Sequence, residues 1–194
     1  TKPIYVFGGV GLFLEFLAFI SLFVAVVQKL AIGVSLIQTT LTMLAAILGS
    51  TGSVGQQALD VVRALPDDFE VVALAAGGNA GLLHAQAREF APAALFARPG
   101  HDADALRAAS AAAWQPLEAM ATRNDVDLVL VATSGLVALP ATIAALRAGK
   151  RVAIANKETL VVGGPAVRAA LDAGRILGAE LRPVDSEHSA IWQC

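Results

Sequence analysis

The sequence has a single cysteine, Cys194, in 194 residues. An internal disulfide framework and a cysteine-based zinc cluster are thereby excluded. Charge is scarce too: 15% of the residues are Asp, Glu, Lys or Arg, well below the share in an ordinary soluble domain. There is no basic excess, the net charge being −2 and the pI about 5.9. A nucleic-acid partner is therefore not expected, because phosphate backbones are met by clustered Lys and Arg. What fills the chain is apolar: 56% hydrophobic residues and a mean hydropathy of +0.66. That composition excludes intrinsic disorder and collagen-like repeats. The length suits one ordinary domain, or a small domain with an appendage.

The apolar excess is concentrated at one end. Residues 1–45 carry only Lys2, Glu15 and Lys29 as charges, and hold Phe7, Phe13, Phe16, Phe19 and Phe23. Residues 4–27 contain one charge, Glu15. A helix over that run reaches about 36 Å, against a hydrocarbon core of about 30 Å. Gln28 and Lys29 form a polar stop, and a shorter apolar run follows, interrupted by Ser35, Gln38, Thr39, Thr40 and Thr42. A membrane helix explains this better than a buried core helix, which the following domain does not need. A secretory signal fits poorly, since the run is long and lacks a clean small-x-small end. Residues 1–43 are thus expected to form one or two hydrophobic, transmembrane-like helices and to make membrane contact. Lys2 and Lys29 flank the first helix symmetrically and give no orientation.

The opening Thr1-Lys2-Pro3-Ile4-Tyr5-Val6-Phe7-Gly8-Gly9-Val10-Gly11-Leu12 resembles the start of the C-terminal membrane segment of bacterial family 2 glycosyltransferases acting on polyprenyl phosphate. The resemblance implies location only. Residues 1–43 hold no acidic metal cluster and no nucleotide loop that could carry glycosyl transfer.

From residue 44 onward the pattern changes to strands alternating with helices. Strands are expected near 45–48, 70–76, 93–97, 127–132, 151–155 and 179–184. Helices are expected near 54–65, 80–90, 101–112, 115–123, 137–148 and 164–177. Val54, Ala58, Val61, Val62 and Leu65 are expected to share one face of the first of these helices. Such alternation predicts an α/β fold, a Rossmann-like doubly wound parallel sheet with helices on both faces.

The first apolar strand runs into Gly49-Ser50-Thr51-Gly52-Ser53-Val54-Gly55. Glycines permit the tight turn, the close approach of backbone to phosphate and the packing of helix on strand. The helix then begins where a pyrophosphate would sit, with unpaired N–H groups and the positive end of the dipole. Ser50, Thr51 and Ser53 offer further hydroxyl donors. A plain structural turn could carry the same glycines, but the placement between strand and helix favours a dinucleotide loop. The second strand ends in Ala75-Ala76-Gly77-Gly78-Asn79. An NAD enzyme usually keeps a carboxylate there for the ribose 2′-OH. Its lack favours NADPH, although that stretch has no Arg or Lys to clamp a 2′-phosphate.

Two further motifs follow strands. Ala155-Asn156-Lys157-Glu158-Thr159-Leu160 places a polar trio at a strand's C-terminal end, the edge where open α/β sheets bind ligands. Pro183-Val184-Asp185-Ser186-Glu187-His188-Ser189-Ala190-Ile191 puts Asp185 and Glu187 on one side of an extended strand and Ser186 on the other. Two carboxylates on one side suit Mg²⁺ or Mn²⁺. A solvated acidic edge would look the same in isolation; beside a lysine site and a dinucleotide loop, the metal is favoured. His84 and His101 read as surface residues, and Trp114 and Trp192 as packing.

Together these motifs resemble the 1-deoxy-D-xylulose 5-phosphate reductoisomerase family, the NADPH-dependent enzymes of the methylerythritol phosphate route to isoprenoids. The resemblance spans roughly residues 44–194. It implies that Thr51, Gly52, Ser53 and Val54 hold the NADPH phosphates and that Gly77, Gly78 and Asn79 surround the adenosine ribose. Asn156 and Glu158 would contact the nicotinamide half. Lys157 and Ser186 would bind the sugar phosphate substrate, and Asp185 and Glu187 the metal, with Glu187 also touching substrate. The implied catalytic residues are Lys157, Ser186 and Glu187. The implied reaction turns 1-deoxy-D-xylulose 5-phosphate into 2-C-methyl-D-erythritol 4-phosphate: a carbon-skeleton rearrangement at the cation, then hydride delivery from NADPH. The family also suggests a homodimer, and a cytoplasmic place for residues 44–194.

Some relatives have lysine where Gly78 stands. The family's third metal-binding carboxylate, its mobile loop, its phosphate-binding residues and its C-terminal helical domain fall beyond Cys194. The expectation is a truncated domain that binds NADPH without turning substrate over. The alternative is a membrane-anchored NADPH-binding module without catalysis. A third reading, a different NADP-dependent dehydrogenase, has to treat the 183–188 motif as coincidence.

Overall fold

A computed structural model describes residues 42–184 of the chain, without the side chain of His101. The described unit begins at Thr42. Its elements in order are β1 (Met43–Leu48), α1 (Ser53–Ala64), β2 (Phe69–Ala76), α2 (Ala80–Phe90), β3 (Ala94–Ala97), α3 (His101–Ala109), β4 (Ala113–Trp114), α4 (Leu117–Ala121), β5 (Leu128–Val131), α5 (Leu139–Arg147), β6 (Arg151–Ile154), α6 (Lys157–Gly174) and β7 (Glu180–Pro183). A 3₁₀ turn, Arg175–Leu177, links α6 to β7.

The strands form one seven-stranded sheet in the order β4-β3-β2-β1-β5-β6-β7. Every neighbouring pair is parallel. The described unit starts in the middle, winds outward through β2, β3 and β4, then returns to the other side of β1 for β5, β6 and β7. The order reverses between β1 and β5, and loops leaving those strands diverge there. This is the switch point at which open α/β sheets bind ligands.

Side chains alternate across the sheet, as a strand period of two requires. In β1, Ala46 and Leu48 enter one core while Ile47 enters the other. In β5, Val129 and Val131 divide from Leu130 in the same way. The first core is covered by α4, α5 and α6 through Met120, Ala141, Ala145, Leu146, Val167 and Ala170. The second is covered by α1, α2 and α3 through Leu59, Val62, Leu83, Ala103 and Leu106. Burial on both faces explains why these strands read as nearly continuous apolar runs. On the surface, Arg63 of α1 bonds Glu89 of α2 with Nε–Oε1 at 2.5 Å. That hydrogen bond holds the Glu89 carboxyl below its ordinary pKa.

The doubly wound sheet matches the sequence expectation, with four local corrections. Met43 belongs to β1 and pairs with Phe69, so the apolar segment expected over 1–43 does not extend through it. Residues 1–41 lie outside the described residues, and the hydrophobic helices expected there fall with them. Among the described residues no helix is long and apolar enough to cross a membrane.

The buried face of α1 is Gly55, Leu59 and Val62, so of the expected stripe Val62 turns inward, with Ala58 half-buried beside it, while the other three do not. Val54, Val61 and Leu65 are 39%, 50% and 44% exposed. Close seating of Gly55 on the loop turns the helix so that Leu59 points inward. Between the helices expected over 101–112 and 115–123, the chain forms the two-residue strand β4. It is too short for any period to betray.

The largest correction is α6, which begins at Lys157 instead of near 164 and ends at Gly174. Pro165 reads as a helix start, since proline suits a first turn. In the structure Asn156 caps the helix nine residues before that proline and α6 continues through it.

Candidate nucleotide-binding site

The loop after β1 is built by contacts that leave no room for side chains. Gly49 has φ +97°, and a Cβ there would lie 2.5 Å from the carbonyl oxygen of Ala132 at the end of β5. A Cβ on Gly55 would overlap the Gly49 carbonyl and the Ser50 backbone. Gly49 N–H and Ser50 N–H both donate to the Ala75 carbonyl, at 2.8 and 2.9 Å, so the turn is tied to the end of β2. The chain then enters α1 at Gly52, which gives no side-chain cap, and no acidic residue occupies the first turn. Ser53 and Val54 are exposed there and Thr51 is half-buried.

Ser50 plays another part. Its side chain is fully buried. Its Oγ donates to Gln86 Oε1 at 2.8 Å, and Gln86 Nε2 donates to the Ser50 carbonyl at 2.9 Å. The hydroxyl expected as a phosphate donor therefore anchors the loop to α2. Gln86, itself 3% exposed, was not anticipated, because a glutamine in an alanine-rich helix reads as surface. Replacing Gln86 by alanine leaves the buried Ser50 hydroxyl only a long bond to the Ala75 carbonyl, at 3.4 Å, and takes the Gln86 donor from the Ser50 carbonyl. The expected loss is about 1–3 kcal/mol, read as a lower urea midpoint at unchanged slope.

Gly77, Gly78 and Asn79 follow β2 on the same sheet edge. All three are exposed. Asn79 caps α2, its Oδ1 accepting from Leu82 N–H at 2.9 Å. An open cleft runs between these residues and the first loop, lined by Gly49, Thr51, Gly52, Gly77 and Gly78, and by Thr133 and Ser134 after β5. Arg98, the residue after β3, lines it as well. No local signal marks Arg98, which the sheet delivers from a strand two positions away from β1.

Asn156 is 2% exposed. Its Oδ1 accepts from Thr159 N–H at 2.7 Å and so caps α6. Its Nδ2 donates to the carbonyls of Thr133 at 2.8 Å and Gly135 at 2.6 Å. The side-chain amide expected to reach a nicotinamide is thus spent within the protein. Asn156 fastens the loop after β5, which lines the cleft, to the start of α6. Lys157 and Glu158 are the first two residues of α6 and both are exposed. β7 ends parallel to β6, with Val184 N–H donating to the Ile154 carbonyl at 3.0 Å. Asp185, Ser186 and Glu187 come next and lie outside the described residues. Among the described residues no three His, Cys, Asp or Glu gather as a metal site.

The edge thus carries, side by side, the loops after β3, β2, β1, β5 and β6. What they offer is an anion site: backbone N–H groups at an uncapped helix start, hydroxyls, glycines with no side chain in the way, and one arginine.

Comparison with known proteins agrees. A family model described as 1-deoxy-D-xylulose 5-phosphate reductoisomerase matches residues 45–164. The enzyme of that name from Pelotomaculum thermopropionicum is 42% identical over 156 residues, covering 76% of this chain and 40% of that protein. Its namesake from Symbiobacterium thermophilum is 48% identical over 159 residues, covering 76% of this chain and 40% of that protein. The chain therefore spans about 40% of the length of the curated relatives it matches. A crystal structure of DOX-P reductoisomerase with NADPH, fosmidomycin and magnesium superposes with a TM-score of 0.69 at 34% identity, over 78% of this chain and 38% of that one. The Zymomonas mobilis enzyme in complex with NADPH gives a TM-score of 0.68 at 38% identity, over 78% of this chain and 41% of that one.

Proposed function

Since the chain belongs to the 1-deoxy-D-xylulose 5-phosphate reductoisomerase family, we propose that its α/β unit is the NADPH-binding part of such an enzyme. The observation that carries this reading is the glycine loop at the β1/β5 switch point, where α1 starts without a side-chain cap beside an open cleft. The backbone N–H groups of Ser53 and Val54 and the Thr51 hydroxyl hold the pyrophosphate, while Gly52 lets the backbone come close and keeps its own N–H on the Gly49 carbonyl. Gly77, Gly78 and Asn79 border the adenosine ribose. The loop held by Asn156 borders the nicotinamide half, and Glu158 lies at the head of α6 on the same edge.

We assign the whole enzyme the conversion of 1-deoxy-D-xylulose 5-phosphate to 2-C-methyl-D-erythritol 4-phosphate. When bound, NADPH supplies the hydride, and Mg²⁺ or Mn²⁺ supplies Lewis acidity. Lys157 and Ser186 bind the sugar phosphate, while Asp185 and Glu187 provide the carboxylates for the cation. Residues 42–194 are one domain that leads into the catalytic region. Residues 1–41 are read, on their sequence alone, as a separate membrane-like segment.

The test is a fluorescence titration of the full chain with NADPH and with NADH. Saturable binding with NADPH preferred is expected. Absence of saturable binding of both nucleotides contradicts the reading.

A further inference from the structure

The stretch at the end of β2 that should distinguish the two nicotinamide cofactors is Ala75-Ala76-Gly77-Gly78-Asn79, without acid or base. It cannot discriminate a 2′-phosphate by charge. The sheet supplies the missing group. Ala76 pairs with Ala97 in the β2–β3 register, and Arg98 N–H donates to the Ala76 carbonyl at 3.2 Å. Arg98 is therefore fixed as the next residue alongside Gly77. Its guanidinium lies over that glycine, Nη2 being 3.9 Å from where a Gly77 Cβ would stand. A Cβ on Gly78 would meet nothing within 4 Å, so the space beside the guanidinium is open.

The side chain lines the cleft together with Thr51 and Gly52 of the phosphate loop. It also lines the adjoining hollow with Pro99, Gly100 and Asp102 at the start of α3. Asp102 lines the same hollow, yet no ion pair between them is formed. Among the described residues no hydrogen bond or ion pair engages the Arg98 guanidinium. An exposed, unengaged guanidinium over a glycine pair is suited to a phosphate monoester, which its planar fork can grip through two parallel bonds.

We propose that Arg98 binds the 2′-phosphate of NADPH and is the residue that selects NADPH over NADH. The inference rests on the nucleotide-binding reading above and deepens it. Side chain and phosphate meet across the Gly77–Gly78 floor, which explains why glycine suffices at 78: the cation comes from β3 instead of from β2.

The experiment compares the full chain with Arg98→Met and Arg98→Lys by titration with NADPH and NADH. Adenosine 2′,5′-bisphosphate and 5′-AMP serve as competitors. Arg98→Met is expected to weaken NADPH binding about 10- to 100-fold, the span for a hydrogen bond to a charged group. It should leave NADH binding unchanged and erase the advantage of adenosine 2′,5′-bisphosphate over 5′-AMP. Arg98→Lys should restore part of the preference, since a point charge replaces a fork. Arg98 is exposed, so thermal midpoints should stay together and report intact folds.

Three results overturn the assignment. In one, Arg98→Met retains the NADPH preference. In another, it weakens both nucleotides equally, which would put the guanidinium on the adenine. The third is a native chain that binds neither nucleotide, and this alone also removes the reading of the site.

Discussion

Gly55→Ala is expected to lower both stability and nucleotide affinity, although it adds one methyl group. The added Cβ would meet the Gly49 carbonyl and the Ser50 backbone. Neither can rotate away as a side-chain end could. Gly49 is held in turn, because its N–H bonds the Ala75 carbonyl and its Cα faces the Ala132 carbonyl. The strain must go into lifting α1 from the loop or tearing the loop from β2. Overpacking of this kind costs about 1–3 kcal/mol, or about 2–4 °C of melting temperature per kcal/mol in a domain of this size.

The functional loss should be larger than that cost suggests. Lifting the helix start displaces the N–H groups of Ser53 and Val54, so NADPH affinity should fall by about tenfold or more, each factor of ten being about 1.4 kcal/mol. Gly164→Ala provides the control. Gly164 lies within α6, and a Cβ there meets nothing within 4 Å. That substitution should change stability little, because the helix preference for alanine is offset by its Cβ against the Pro165 ring, and leave binding unchanged. Thermal melts and NADPH titrations of both variants decide. Unaltered binding by Gly55→Ala would mean that the loop is only a turn.

Asn156→Ala is expected to have the second large effect, through two separable losses. One is the cap of α6, whose removal costs about 0.5–2 kcal/mol. The other is the pair of hydrogen bonds to the carbonyls of Thr133 and Gly135, and a buried group left unpaired costs about 1–3 kcal/mol. Asn156→Asp tells them apart. A carboxylate keeps the bond from Thr159 N–H and suits the helix start. It cannot donate to the two carbonyls, and it opposes them. The aspartate variant should therefore keep its helix and still release the loop after β5. Its NADPH affinity should fall as far as that of the alanine variant while its helix content stays native, and its melting temperature should fall as well, because the carboxylate faces two carbonyls in a buried site. If the aspartate variant binds NADPH like the native chain, Asn156 does not position that loop for the nucleotide.

The sheet was legible because both of its faces are buried. Strands such as Leu128–Val131 and Arg151–Ile154 read as short apolar runs, each followed by a helical period. The glycine loop was legible because its spacing and its place between strand and helix follow from one physical need. Contacts between elements were not legible. Ser50 was counted as a donor to ligand because its hydroxyl belongs to the motif, but only the packing of α2 shows that Gln86 claims it. Asn156 was read as a ligand contact because it stands at a strand end. Only the position of residues 133–135 shows where its amide goes. Arg98 escaped notice because a search for a cation near residue 78 stays within sequence neighbours. The parallel register of β2 and β3 brings it there from a different strand. The start of α6 was misplaced because Pro165 is a stronger local signal than a lone asparagine cap.

The central claim is that the loops at the C-terminal edge around the β1/β5 switch point hold NADPH. Amide hydrogen exchange of the full chain, with and without saturating NADPH, tests it most directly. The account predicts slowed exchange in residues 51–56, 77–80 and 133–136, with the outer strand β7 and the C-terminal half of α6 unchanged. Slowed exchange confined to other segments, or none in residues 51–56, would contradict it.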